Sequence, residues 1–369
     1  MVVARGTERA WYKRLRSDLE SVGFIANPLD ICCFNRAEED GKQSTIVVHV
    51  DDMLVTAPSD AHLDALIKQF GERYNDEYAS ITVQRGRRIE YVGMVFDFNE
   101  EDAVKVTMEG YIDDLLREYE SIAGEVETPA VGTLFSVRKS AEQLDSKRAE
   151  EFHTLVAKVL YLAKRIRPDL LVAVSFLTRR VQSPDVDDQR KLERVIKYIR
   201  STRHLGIRLS ADKFISVLAY VDASFATHDD MKSHTGSVIT LGRGPVMANS
   251  RIQRLTTLSS AESELVGLSE SLGQVLWTRM FLEAQGYEMG PAKVFEDNQS
   301  AIKLAENGES RSSRTRHIAI RYFFIHDRIK SGEVAIEYMK TGDMIADILT
   351  KPLTGELFKR LRGLLLNWT

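Results

Sequence analysis

The sequence predicts an α/β chain, α+β in its overall mixture and of more than one domain. Three observations carry that prediction. Around Ser44 to Ala57 two apolar runs flank an acidic tip, the pattern of a β-hairpin. From Lys147 to Arg203 helical periodicity takes over. From Phe214 onward the order is three strands, helix, strand, two helices, strand and helix, which describes a mixed sheet flanked by helices. A chain of 369 residues can hold two or three separate cores. We divide it at 1–118, 119–205, 206–353 and a helical tail, 354–369.

Taken in order, the first element is a helix, Arg9 to Val22, with Trp11, Leu15, Leu19 and Val22 on one face and Gly23 as its C-cap. A strand, Ile31 to Asn35, leads through the turn EEDGK to the strand Ser44 to Val50, the pair Asp51-Asp52 and the run MLVTA. Ser59 is placed to cap a helix that runs to Tyr74. Strands follow at Ile89 to Asp97 and Ala103 to Met108, joined by NEED. The stretch Tyr119 to Ser146, with Gly124, Pro129 and Gly132, reads as a linker. Three helices succeed one another: Lys147 to Ile166, Pro168 to Gln182 and Val186 to Arg203. The strands Phe214 to Val221, Gly236 to Leu241 and Pro245 to Ser250 precede a long helix, Ser259 to Gln285. The remainder is a strand, Lys293 to Glu296, helices Asn298 to Glu306 and Thr315 to Ser331, a strand, Val334 to Met339, and a short helix, Asp343 to Thr350.

Composition is ordinary for a globular protein, 43% hydrophobic and 28% charged. The net charge of -4 hides basic stretches: Lys164 to Arg203 holds eleven Lys/Arg against five acids, and Arg311 to Lys330 six against one. Such stripes can bind a phosphate backbone despite an acidic total. Cys32 and Cys33 lie in an apolar run without metal-ligand spacing, as core thiols of a reducing compartment do. The longest apolar run, Leu170 to Leu177, is too short to span a bilayer, and the start has no hydrophobic signal region. The expectation is an intracellular, soluble chain with no membrane partner.

The candidate chemistry starts at Asp222, which ends an apolar strand and is followed by the small residues Ala223 and Ser224. Asp297 repeats the arrangement after a second short strand, and strand ends on one edge of an α/β sheet are where sites are built. Glu262 and Glu264 differ by roughly 200° around a helix, so they face different ways. Glu262 completes a capping box with Ser259, reaching back to the Ser259 amide, which leaves Glu264 for metal. Ser259 and Ser260, at that helix start, could alternatively meet a nucleic-acid phosphate. Asp347 and Asp343 share a short helix, and spacing alone singles out neither. Converging carboxylates repel one another unless divalent metal lies between them, an arrangement suited to phosphodiester hydrolysis. Asp51 and Asp52 are a turn by default, although paired aspartates between strands are also how polymerases present metal ligands. Residues near Arg167, Arg179, Arg190 and Lys197 could track a duplex backbone. Arg311, Arg314, Arg316 and His317 crowd a helix start, where cations are disfavoured unless an anion binds.

At this point the motifs are recognisable. ERAWYKRL, HVDDML, YLAKRIRPDLLVAVSFLTR, DNQSAIKLAEN, RTRHIAIRYFFIHDRI and ADILTKPL, in that order, resemble the C-terminal part of a copia-type retrotransposon polyprotein: the end of its reverse transcriptase, then its ribonuclease H domain. The resemblance implies a partial polymerase palm, a helical thumb or connecting region and a ribonuclease H-like mixed sheet flanked by helices. It implies nuclease carboxylates at Asp222, Glu264, Asp297 and Asp347, holding two Mg²⁺ with Mn²⁺ able to substitute, and an RNA–DNA hybrid as substrate. Asp347 is singled out only by it. Asp51 and Asp52 match palm metal positions, with His49 where the family has tyrosine, and are expected to be vestigial because the family's first catalytic aspartate lies upstream. The missing upstream polyprotein region is thus a candidate partner. The family's mobile histidine before the last acid has no counterpart in KTGDMIAD. The rival expectation is a catalytically silent, nucleic-acid-binding remnant of a decayed element, and hybrid cleavage in Mg²⁺ against EDTA separates the two.

Overall fold

The computed structural model describes residues 7–39, 41–75, 80–211, 215–308 and 319–368. The chain divides into two compact units, Met1–Phe96 with Trp277–Glu288, and Asp97–Leu276 with Met289–Thr369. The helices expected to form a connecting region and the sheet expected to form a separate domain share the second unit.

In the first unit, α1 (Thr7–Ser21) precedes four strands, β1 (Ile25–Asn27), β2 (Asp30–Ala37), β3 (Gln43–His49) and β4 (Asp52–Thr56), then α2 (Asp60–Tyr74). The strands pair antiparallel in sequence order. Leu15 and Leu19 of α1 and Leu66 and Phe70 of α2 bury against Phe34, Ile46 and Val48 of the sheet. Gly23 ends α1 at φ +89°, a conformation glycine adopts without steric cost, and this lets the Phe24 amide reach back to the Leu19 carbonyl. The strand expected at Ile89 to Asp97 is two, β5 (Arg88–Tyr91) and β6 (Met94–Asp97). Val92 and Gly93 both take positive φ between them, a turn that Gly93 signals but a β-branched valine conceals.

The second unit opens with β7 (Val104–Thr107) and α3 (Glu109–Glu118). Next come α4 (Ser146–Arg165), a 3₁₀ turn (Pro168–Leu170), α5 (Leu171–Thr178) and α6 (Val186–Ser201). Asp145 caps α4 by accepting from the Arg148 amide, and Asp185 with Asp188 forms a capping box at α6. Arg167, expected among the backbone-tracking cations, is instead fully buried, because it closes a polar knot between these helices. Its guanidinium binds Asp169 through two bonds of 2.9 and 2.8 Å and donates to the Thr202 hydroxyl at 2.8 Å. Tyr198 donates to the same Asp169 at 2.7 Å. Arg190, by contrast, is exposed and paired with Asp187.

After β8 (Ile207–Ala211), which pairs with β7, come β9 (Leu218–Ser224), β10 (His234–Thr240), β11 (Gly242–Arg243) and β12 (Met247–Ile252). The helix α7 (Ser260–Ala284) leads to β13 (Ala292–Glu296), α8 (Gln299–Asn307), α9 (Ala319–Lys330) and β14 (Val334–Tyr338). Two 3₁₀ turns, Thr341–Asp343 and Ile345–Leu349, and α10 (Gly355–Leu366) complete the chain. The main sheet has the order β12-β10-β9-β13-β14. Its first three strands are antiparallel, and β13 joins β9 and β14 in parallel. The mixed sheet flanked by helices that the sequence led us to expect is present. One difference of boundary bears on the site: β9 runs through Asp222 to Ser224 rather than stopping before the aspartate. Asp222 pairs with Gly236 of β10, inside the ladder, so its carboxylate is fixed by strand geometry.

Candidate metal centre

Two layers close over the middle of this sheet. On one face α7 buries Leu265, Val266, Leu268, Leu272 and Val275 almost completely. On the other, the 3₁₀ segment Ile345–Leu349 lies directly on β10. That approach depends on Gly236: a Cβ there would fall 2.8 Å from Leu349 Cβ and Thr350 Cγ2 and 2.9 Å from the Ala346 carbonyl oxygen.

Between these layers the structure brings acids together from distant stretches of chain. Asp222 comes from β9, Glu264 from the first turns of α7 and Asp297 from the end of β13. Each offers a carboxylate oxygen within 4.8 Å of the other two. Asp222 and Glu264 are 1% and 5% exposed, Asp297 more open. Glu264 Oε2 is buried without a hydrogen-bond partner, which leaves a strong acceptor that a bound cation would satisfy. Burial, then Glu296, Asp222 and Asp297, push the Glu264 carboxyl well above the usual carboxylate range. A hard divalent cation fits this all-oxygen donor set.

Asp347 belongs to the same neighbourhood by a different route. It is 5% exposed, and burial, followed by the Asp222 charge, raises its carboxyl to about 7 against the pull of Lys351. The Lys351 ammonium lies 2.6 Å from Asp347 Oδ1 and 3.4 Å from Asp222 Oδ1. The Thr350 hydroxyl donates to Asp222 Oδ2. Thus the stretch Asp347 to Lys351 grips Asp222 from the side opposite α7.

A buried relay fastens that stretch. Ser250 donates to the Leu349 carbonyl at 2.6 Å, so it must accept from His234 Nε2 at 2.8 Å. His234 Nδ1 therefore accepts from His228 Nε2 at 2.9 Å, and His228 Nδ1 from Arg179 at 3.4 Å. Phe135 packs on both imidazoles. Burial holds the His228 ring at about 4 and the His234 ring at about 3, so both stay neutral and the donor order is unbroken.

Two residues of the site escaped sequence reasoning. Glu296 is fully buried and accepts from the Asn298 amide at 3.0 Å through Oε1, while its Oε2 has no partner. Burial, with Asp297 and Asp222 adding to it, raises its carboxyl to about 8. The available signal was strand alternation, which puts Glu296 on the buried face with Ala292 and Val294. The other is Lys351, one turn beyond Asp347 in the quoted motif ADILTKPL. Glu262 sits apart from the cluster as its helix phase requires, but its carboxylate accepts from Leu258, not from the Ser259 amide. The Ser259 hydroxyl accepts from the Glu262 amide, so the box is shifted by one residue because the chain enters α7 from Leu258. Ser259 and Ser260 are exposed beside it.

Comparison with known proteins shows what the chain is similar to. The chain is 30% identical over 360 residues to the retrovirus-related Pol polyprotein of transposon RE1 from Arabidopsis thaliana, 95% of this chain and 23% of that protein. It is 25% identical over 367 residues to the corresponding polyprotein of transposon TNT 1-94 from Nicotiana tabacum, 96% of this chain and 27% of that protein. Along nearly its whole length the chain resembles transposon Pol polyproteins. It spans about a quarter of the length of these curated relatives. No family model matches the chain. Among solved structures, a ribonuclease H1 from compost, LC11, aligns over 36% of this chain and 91% of its own at 13% identity and a TM-score of 0.28.

The other expected sites are the pair Asp51-Asp52 and the basic run from Arg311 to His317. Asp51 and Asp52 are exposed, and Val50 before them holds φ +56°, a costly conformation for a β-branched residue. Among the described residues they join no group of three ligands within metal-binding reach. Arg311, Arg314, Arg316 and His317 lie outside the described residues. No described helix is long and apolar enough to cross a membrane.

Proposed function

We propose that the second unit is a ribonuclease H-type endonuclease that cuts the RNA strand of RNA–DNA hybrids with Mg²⁺, for which Mn²⁺ can substitute. The observation that carries this reading is the meeting of Asp222, Glu264 and Asp297 around a buried, unpartnered Glu264 oxygen. Similarity to Pol polyproteins supports it. Asp222, Glu264 and Asp297 would hold the metal, with Asp347 beside them. Bound metal supplies Lewis acidity, activating water for attack and offsetting charge at the phosphate. The chain's own residues supply the scaffold: Thr350 orients Asp222, the histidine relay holds the Asp347 segment, and Glu262 secures the start of α7 so that Glu264 faces inward. Duplex contacts are assigned to Ser259 and Ser260 and to Arg311, Arg314, Arg316 and His317. Replacing Arg314 and Arg316 by alanine should lower the salt slope of hybrid binding by about one unit each.

On the same reading the Asp51-Asp52 hairpin transfers no nucleotides by itself, since among the described residues it has no third ligand. Primer extension by the purified chain, with an Asp51→Ala control, checks this. The main test is cleavage of a hybrid labelled on each strand. We expect Mg²⁺-dependent cutting of the RNA strand alone, lost in EDTA and in Asp222→Asn. Folded wild-type chain that binds hybrid without cutting it would instead be the silent remnant.

A further inference from the structure

We propose that Lys351 is a resident cation of this centre, its ammonium filling the second cation position so that the cluster binds one divalent ion tightly. The proposal rests on reading the cluster as a divalent-metal site and departs from the two ions that the family resemblance implies. Its basis is the way the four expected carboxylates divide. Asp222, Glu264 and Asp297 form one ligand group, which does not include Asp347. Asp347 is committed to Lys351 at 2.6 Å, and the same ammonium stands 3.4 Å from Asp222. A second divalent ion shared by Asp222 and Asp347 would have to occupy the place of that ammonium.

Lys351 is held there by more than charge. Its amide donates to the Asp347 carbonyl at 3.0 Å, and the Leu353 amide donates to its own carbonyl at 2.8 Å. Thr350, next to it, is anchored twice, by its hydroxyl on Asp222 and by Ser224 donating to its carbonyl at 3.2 Å. The lysine therefore leaves a fixed backbone toward two acids whose side chains are 2% and 7% exposed, while its own is 36% exposed.

The test is Mn²⁺ binding at neutral pH, followed by calorimetry and by the spin-resonance signal of free Mn²⁺. Wild type should take up one tight ion, Lys351→Arg one, and Lys351→Gln two. The Mg²⁺ dependence of hybrid cleavage should become steeper, from first order toward second, in Lys351→Gln. Two tight ions in wild type, or one in folded Lys351→Gln, overturns the proposal while leaving the metal site intact. No ion bound by wild type overturns the underlying reading along with it. The wild-type count alone decides if Lys351→Gln does not fold.

Discussion

Two of the places where the second unit buries charge are built on opposite principles. Around Arg167 the guanidinium is answered from two sides: two bonds to Asp169, two to Thr202, and Tyr198 closing on the same aspartate. Burial opposes both charges there, but each partner's field wins, and the aspartate stays below and the arginine above its ordinary range. Around Asp222 the acids outnumber their partners. Glu264 and Glu296 each keep a buried oxygen with no partner, and the carboxyls of Glu264, Glu296 and Asp347 are all pushed upward. A saturated pair is finished by folding and serves structure. An unsaturated cluster is tolerated only where something else completes it, and that is the physical mark of a site.

Substitutions on the two sides should therefore fail in different ways. The largest effect is expected on activity: Asp222→Asn should lower hybrid cleavage more than about 100-fold, beyond what losing a partner outside the ligand shell costs. Its melting temperature in EDTA should hold or rise, because one like charge has been removed. The same change at Asp169 should do the reverse. Asp169→Asn leaves a buried guanidinium uncompensated and should cost about 3–5 kcal/mol of stability, read by denaturant unfolding. A stable Asp169→Asn chain would break the comparison.

A smaller effect is expected in pH dependence. Glu296 is raised to about 8 when folded, so the folded state holds its proton where the unfolded chain has released it. Its contribution to stability falls as pH climbs from the unfolded carboxylate range through about 8. His228 and His234, lowered to about 4 and 3, act with the opposite sign and cancel when two variants are compared. Metal-free Glu296→Gln should thus gain on wild type more at pH 8 than at pH 5 in paired melts. An equal difference at both pH values would contradict the assignment. The smallest effect belongs to Glu262→Gln, whose amide oxygen can still accept from Leu258; cleavage should stay near wild type and stability within about 1 kcal/mol.

Much of the centre was legible where local periodicity decides it. Helix phase separated Glu262 from Glu264, and a short apolar strand ending in Asp297 marked a sheet edge. What stayed hidden depended on contacts between distant stretches. Arg167 reads as one more cation in a basic run, yet the Thr202 and Tyr198 that bury it come from the far end of α6 and beyond. Glu296 was overshadowed by the aspartate beside it. Asp222 lies within β9 rather than after it, because β10 pairs through the aspartate, a register that Gly236 permits by admitting the Asp347 segment.

The central claim is that the Asp222 cluster is incomplete until a divalent cation joins it. Thermal melting of the whole chain with and without Mg²⁺ tests this most directly, with Glu264→Gln alongside. At a Mg²⁺ concentration 100 times its dissociation constant, wild type should gain about 2.7 kcal/mol. Glu264→Gln, deprived of the charged oxygen that lacks a partner, should gain little at the same concentration. A wild-type melt indifferent to Mg²⁺, or an equal gain in Glu264→Gln, would contradict the account.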